Sequence, residues 1–425
     1  MDNNGIIRAE DITRLVLPNG IVVLVRTNHN SPSVSLRGLI KAGSMYDTDD
    51  KAGLASFTAG TLERGTERFS YQEINKILDG MGATLGVGAG DESAGFYARC
   101  LSEDLDTLLD ILSEVLMHPT FPRSEVEKVR GEILTGLREA KNDTQWVADY
   151  EFHRTAYPKG HPFHRPVEGS EETVAAISRS DLVRFRTTYY RPDATIIAVV
   201  GDITPEQAAD KLDRAFASWK ASGPAHPYVI EDVRNSVIAQ RKNVFVPGKT
   251  QADIVMGFPG LARTSEDYHP ANVANMILGV LGMYGRLGEN VREQQGLAYY
   301  VTSQIRAGIG AGPWIVRAGV NPSNIDRAIA SIETELRRLR DEPVSADELA
   351  EAQDYLTGSL ALRLETNDGV AGTLLGMELY ALGLDYLERY NAIIRGLTVE
   401  SLLTVSRRYI DLDHNVIVVA GPVQS

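Results

Sequence analysis

SRSDLVRFRTTYYRPDATIIAVVGD, from Ser178 to Asp202, is written again in outline as TVESLLTVSRRYIDLDHNVIVVAGP, from Thr398 to Pro422. Tyr189 falls against Tyr409, Asp193 against Asp413, Ile196 against Val416 and Gly201 against Gly421, all at an offset of 220. Each copy reads as a capped helix, a polar turn and a buried apolar strand. A second pair lies upstream in the same order. SEVEKVRGEILTGL begins at Ser124 and ADELAEAQDYLTGSL at Ala346, setting Leu134-Thr135-Gly136 against Leu356-Thr357-Gly358 at an offset of 222. Two matches in one order at nearly one spacing indicate a duplicated chain.

The duplication predicts two homologous halves, 1–222 and 234–425, joined by a linker at 223–233 inside the Gly-, Pro- and Ala-rich stretch KASGPAHPYVIED. Each half opens on strands: Gly20 to Arg26 and Ser33 to Ile40 in the first, Asn243 to Val246 and Ala252 to Phe258 in the second. A long helical region follows in each. The expected fold class is α+β, with two homologous halves, each a mainly antiparallel sheet with helices packed on one face.

Composition narrows the function classes. The chain has 425 residues, enough for two or three domains, and 43% hydrophobic with 24% charged residues is an ordinary globular balance. Lys and Arg number 43 against 57 Asp and Glu, a formal charge of −14. Phosphate contacts need clustered cations, so neither nucleic acid nor an anionic membrane is an expected partner. The single cysteine, Cys100, excludes a disulfide framework and a cysteine-rich zinc site, and reads as a small buried apolar residue. The N-terminus shows no basic segment followed by an apolar run, and the apolar runs are strand-length, so a soluble cytoplasmic protein is expected.

Between the first strands and the helical region lies KAGSMYDTDDKAGLASFTAGTLERGT, Lys41 to Thr66. Its frame, AGS.Y......AGLA.F......GT, resembles the pitrilysin-type (inverzincin) zinc peptidases, and the resemblance extends over nearly the whole chain. In active members that frame carries H-x-x-E-H, two histidines one helical turn apart on one zinc and a glutamate that takes the proton of zinc-bound water. The resemblance places these positions on Ser56, Ala59 and Gly60, and the family's third ligand, a glutamate on a later helix, on Gly136. Ser, Ala and Gly supply neither three such ligands nor the base, so no metal is expected in this chain and no peptidase activity from it alone.

The second half reads differently. Ile277 to Ser303, ILGVLGMYGRLGENVREQQGLAYYVTS, resembles the family's RL...REQ.GLAY.V.S segment. Locally, Glu289 to Gln295 reads as a helix end, Gly296 as its C′ stop and Ala298 to Ser303 as a strand, an arrangement able to aim two side chains the same way. The resemblance gives Arg292 and Tyr299 the family's substrate-facing roles, and gives the loop Gly282, Met283, Tyr284, Gly285 a substrate contact; the loop is only moderately glycine-rich and reads equally as a hinge or helix break. A guanidinium offers a donor fork to a carbonyl or carboxylate, and a phenol can donate to a tetrahedral oxyanion. The chain therefore resembles the Arg/Tyr subunit of heterodimeric bacterial zinc peptidases and the non-catalytic subunit of mitochondrial processing peptidase. That implies a homologous zinc-bearing partner subunit, zinc in the partner, and a peptide or unfolded protein substrate bound as an added strand. The alternative is a non-proteolytic scaffold or a peptide-binding protein of the same fold.

Three further features have plainer readings. His161 and His164 in HPFHRPVEG suit a surface turn better than a metal site. Gly86-Val87-Gly88-Ala89-Gly90 lacks the Gly-Lys-Ser/Thr of a phosphate loop and reads as an edge or turn of the sheet. Arg286 reads as structural.

Overall fold

A computed structural model describes residues 7–227, 229–233 and 238–423. The first sheet contains β1 (Thr13–Val16), β2 (Val22–Thr27), β3 (Ser33–Ile40), β4 (Thr84–Ala89), β5 (Ala94–Leu101) and β6 (Thr195–Gly201), in the order β1-β2-β6-β3-β5-β4. The second contains β7 (Gln240–Phe245), β8 (Ala252–Pro259), β9 (Ala298–Ile305), β10 (Pro313–Val320) and β11 (Val416–Gly421), in the order β7-β11-β8-β10-β9. The pairs β2/β6 and β7/β11 are parallel and the others antiparallel. The second order is the first with β1 removed, so the duplication seen in sequence is repeated in topology.

The helices run in chain order. First come α1 (Leu54–Thr61), α2 (Tyr71–Met81), α3 (Leu105–Met117), α4 (Arg123–Ala140) and α5 (Thr144–Ala156). Then follow α6 (Glu171–Ala176), α7 (Arg179–Tyr189), α8 (Pro205–Phe216), α9 (Tyr268–Asn275) and α10 (Ile325–Asp341). The last are α11 (Ala346–Arg363), α12 (Asn367–Leu379), α13 (Tyr386–Arg395) and α14 (Val399–Tyr409). Among the described residues, no helix is long and apolar enough to cross a membrane.

The repeated helix-turn-strand is built as its residues dictate. The Ser178 hydroxyl accepts from the Asp181 amide while Asp181 accepts from the Ser178 amide, a reciprocal cap for α7; Thr398 and Ser401 do the same for α14. The strands that follow, β6 and β11, are buried at every residue. That is why they are runs of Val, Ile and Ala with no alternation. By contrast β5 alternates buried and exposed, with Phe96, Ala98 and Cys100 inward and Tyr97, Arg99 and Leu101 outward.

Compactness divides the chain differently from the duplication. One unit comprises Met1–Thr135, Pro166–Tyr228 and Leu360–Arg389; the other comprises Gly136–Arg165, Val229–Ser359 and Tyr390–Ser425. Each half of the sequence thus contributes one helical segment to the other unit's sheet. Helix α12 packs on β3 and β6, and α5 packs on β8 and β11. In the second unit the main helical layer, α9, α10 and α14, covers Ile254, Met256, Phe258, Ile417 and Val419. The exchanged α5 covers the opposite face, where Val147, Ala148 and Phe152 meet Val255, Ile315, Val416 and Val418. An arginine of the sheet grips each exchanged helix. Arg317 of β10 holds Asp149 of α5 with Nε 2.9 Å from both carboxylate oxygens, and Arg37 of β3 holds Asp368 of α12 at 2.6 and 2.7 Å.

Candidate functional site

Helix α1 carries the positions Ser56, Ala59 and Gly60. Its N-terminus is held by the buried Asp47 carboxylate, which accepts from the Gly53 and Ala55 amides at 3.0 Å each. Phe57, Thr58 and Thr61 are wholly buried, so packing keeps this helix in place whatever the other side chains are. Ser56 is half-buried, Ala59 is buried and Gly60 is exposed. A Cβ at Gly60 would find only Val129 near, at 3.9 Å; at Gly136, exposed on α4, it would find nothing within 4 Å. Both glycines therefore leave open space rather than making a close approach.

The side chains at these positions do not fit a zinc ion. They offer one hydroxyl and no imidazole, thiolate or carboxylate. Among the described residues no cluster of three or more His, Cys, Asp or Glu is placed to hold a metal. One turn beyond Gly60, Arg64 bonds Glu132 at 2.9 Å, and Glu132 lies one turn before Gly136. The Arg130 guanidinium lies over the Phe57 ring, 5.2 Å from its centre. An ion pair and a cation-π contact thus tie α4 to the α1 segment. A groove of about 360 Å³ opens beside Arg64, Arg68, Tyr71, Ser124 and Glu125, and its cations are committed, Arg64 to Glu132 and Arg68 to Asp110.

The glycine-rich stretch Gly86 to Gly90 forms most of β4, the edge strand of the first sheet. Its outward Val87 amide donates to Glu63 at 2.6 Å. Burial pushes the Glu63 carboxyl above its usual range, against that bond and against Arg64. This edge position is therefore already satisfied within the chain.

In the second unit, Arg292 lies in a π-helix, Gly288–Gln294, and Tyr299 lies in β9, the edge strand of its sheet. The helix ends as the residues require. Gly296 takes φ +60°, its amide donates to the Arg292 carbonyl at 3.0 Å, and the Leu297 amide donates to Val291 at 2.9 Å. The coiling of this helix is π. The Arg292 side chain is 44% exposed, with Nε 3.4 Å from Glu293. Tyr299 is 59% exposed. Gly282–Tyr284 forms a 3-10 turn that packs on the Arg292 helix, which in turn packs on β9. Met283 and Tyr284 are exposed, while Gly285 is drawn close to Gly279, 3.3 Å from its would-be Cβ. The elements that carry the residues singled out in this half thus pack in sequence on one another. Arg286 is buried and forms a bidentate pair with Glu348 at 2.6 and 3.0 Å, a structural strut between this segment and α11.

Tyr299 has no partner across the sheet. Along β10, Gly319 faces Tyr300 and the next residue, Val320, faces Ala298. Tyr299 is the extra residue of a β-bulge. Ala298 and Val301 both enter the helix-side core although three residues apart. In a regular pleat Tyr299 would share the face of Val301; the bulge turns it out.

The His161–His164 turn differs from expectation. It is a buried 3-10 turn, not a surface one, with His161 only 6% exposed. His161 Nδ1 accepts from the Phe163 amide and Nε2 donates to the Glu231 carbonyl, both at 3.1 Å, while His164 Nδ1 donates to Tyr157 at 2.8 Å. The rings serve the backbone. Cys100 is buried, and desolvation pushes its thiol up to about 12, an inert structural cysteine.

The bulge was missed in the sequence, as were the Glu63–Val87 bond and the Arg64–Glu132 pair. The doublet Tyr299-Tyr300, flanked by Ala298 and Val301, was the available sign, because it breaks the period of two.

Comparison with known proteins agrees with this architecture. Residues 22–170 match the model for "Insulinase (Peptidase family M16)", and residues 176–356 match the model for "Peptidase M16 inactive domain". The chain belongs to peptidase family M16. The uncharacterized zinc protease YmxG of Bacillus subtilis is 26% identical over 92% of this chain and 96% of that protein. The mitochondrial-processing peptidase subunit beta of Caenorhabditis elegans is 26% identical over 92% of this chain and 86% of its own length. A peptidase M16 inactive domain from Pseudomonas fluorescens superposes with a TM-score of 0.91 at 26% identity, covering 97% of this chain and 98% of that one. The match to an M16 inactive domain is in keeping with a non-catalytic member of the family, and Ser56, Ala59, Gly60 and Gly136 of this M16 chain supply no metal-ligand set.

Proposed function

We propose that this M16 chain is the zinc-free subunit of a heterodimeric zinc metallopeptidase. It supplies Arg292 and Tyr299 to position a peptide, and to stabilise the transition state, at the zinc site of a homologous partner that retains H-x-x-E-H. One observation carries the reading: a β-bulge turns Tyr299 out of the core onto the edge strand of its sheet, beside the helix that bears a half-exposed Arg292. Bulges are the usual device for re-aiming a side chain beside a reaction centre. The substrate is a peptide or unfolded segment lying in extended form, with Met283 and Tyr284 as apolar contacts. Zinc belongs to the partner, and relatives named as subunits of a processing peptidase are in keeping with a paired enzyme. A reducing compartment such as the cytoplasm suits a chain whose one cysteine is buried.

The test is a mixing experiment. The purified chain should hydrolyse no unstructured peptide; with its H-x-x-E-H partner the mixture should. Arg292→Ala or Tyr299→Phe should lower kcat by about 10- to 1,000-fold with assembly intact. Unchanged turnover in both variants would leave the alternative, a non-proteolytic scaffold or peptide-binding protein.

A further inference from the structure

Asp253, Gly319 and Tyr300 form one row across β8, β10 and β9. Asp253 faces Gly319 in one register and Gly319 faces Tyr300 in the next. Tyr300 does not stop at its neighbouring strand. Its ring lies across Gly319, where a Cβ would overlap the ring and the Gln251 side-chain amide. Its hydroxyl passes over β10 and donates to Asp253 on β8 at 2.5 Å. Asp253 is 2% exposed and is fixed from the other side by the Thr144 hydroxyl of α5 and by Gln251 at 3.2 Å. Burial and the Asp253 carboxylate both push the Tyr300 phenol well above its usual range, so it stays a donor. A phenol bridging three strands at the bulge, permitted by one glycine, restrains the register of an edge strand that has a neighbour on one side only.

We infer that Tyr300 is a positioning residue for Tyr299: its phenol, locked over Gly319 onto Asp253, holds the bulge that keeps the Tyr299 side chain turned out of the core. This rests on the reading of Tyr299 given above, and it adds a residue to which that reading assigns no role. Without the lock, β9 can slip by one residue, which takes Tyr300 off the α5 face that it shares with Asp253 and moves the bulge away from Tyr299. The exposed phenol would then sample more than one orientation, and small misplacements of a positioned group are costly in rate.

The experiment has two readouts. A fluorotyrosine placed at position 299 of the full chain reports its surroundings by ¹⁹F NMR, without any partner. The otherwise unaltered chain should give one resonance. Tyr300→Phe, which keeps the ring and leaves Asp253 its Thr144 and Gln251 partners, should shift or split it. Gly319→Ala, which displaces the ring, should do the same. With the H-x-x-E-H partner present, Tyr300→Phe should lower kcat about threefold to tenfold with KM nearly unchanged, and should cost nothing further in a Tyr299→Phe background. A ¹⁹F resonance that does not move in either variant overturns the inference, as does a Tyr300→Phe effect that simply adds to that of Tyr299→Phe. If Arg292→Ala and Tyr299→Phe both leave turnover unchanged, the proposed function fails, while the ¹⁹F signal still judges the lock.

Discussion

Arg64 reaches Glu132 at 2.9 Å and so joins the α1 segment to α4, one helical turn from Gly60 and from Gly136 respectively. At both glycines the space that a side chain would take is open.

Those open glycines lead to the first prediction. Gly136 lies in a helix interior with nothing near its would-be Cβ. Gly136→Ala should stabilise the chain by about 0.5–1 kcal/mol, because alanine loses less backbone entropy in a helix. Urea unfolding measures it, and mass spectrometry of the native chain should find no retained zinc. A destabilised Gly136→Ala variant would mean that the position still needs glycine.

The two arginine clamps should differ in strength. Arg317 is 9% exposed, while Arg37 and Asp368 are 42% and 47% exposed. Asp149→Ala strands a buried guanidinium and should cost about 3–5 kcal/mol. Arg37→Ala removes a solvated pair and should cost less than about 1 kcal/mol. Paired urea titrations compare them; equal costs would show that burial does not decide the outcome.

Acid should weaken the fold through its histidines. Burial, then the Arg306 guanidinium 3.4 Å away, pushes His153 down to about 4, and burial does the same to His269. An unfolded histidine titrates near 6.5, roughly. The unfolded chain therefore takes up protons first as pH falls. The stability these rings provide is complete above about 6.5 and is lost as pH drops toward about 4. Urea midpoints at several pH values across that window should fall, and His153→Gln should remove part of the slope. Constant midpoints would exclude the effect.

The β4 edge should be guarded by Glu63. Its carboxylate occupies the outward Val87 amide, so Glu63→Ala leaves that amide available to another strand. Sedimentation velocity should then show concentration-dependent self-association that the unaltered chain lacks. A monomeric Glu63→Ala chain would show that other groups protect the edge.

Much of this was legible in residues alone. The duplication could be read because its copies are a capped helix and a fully buried strand, features set by short-range chemistry at Ser178, Thr398 and the Val-Ile runs. That Ser56, Gly60 and Gly136 supply no imidazole or carboxylate could be read because side-chain chemistry is a matter of composition alone. Gly296 announced the helix end through its need for a left-handed backbone. The His161 turn was misjudged because a histidine's burial depends on what packs over it, here the stacked Tyr157 ring and the Glu231 carbonyl, which comes from 70 residues along the chain.

Local sequence thus specified which segments form helices and strands and that they come in two sets. Folding in three dimensions settled which helix covers which sheet, since α5 and α12 each cross to the other half's strands, and apolar periodicity says that a face is buried without naming its cover. It also settled the direction of Tyr299. A bulge is the mismatch of two strands, and its lock runs from Tyr300 to Asp253 across a third, so no single stretch of chain contains it.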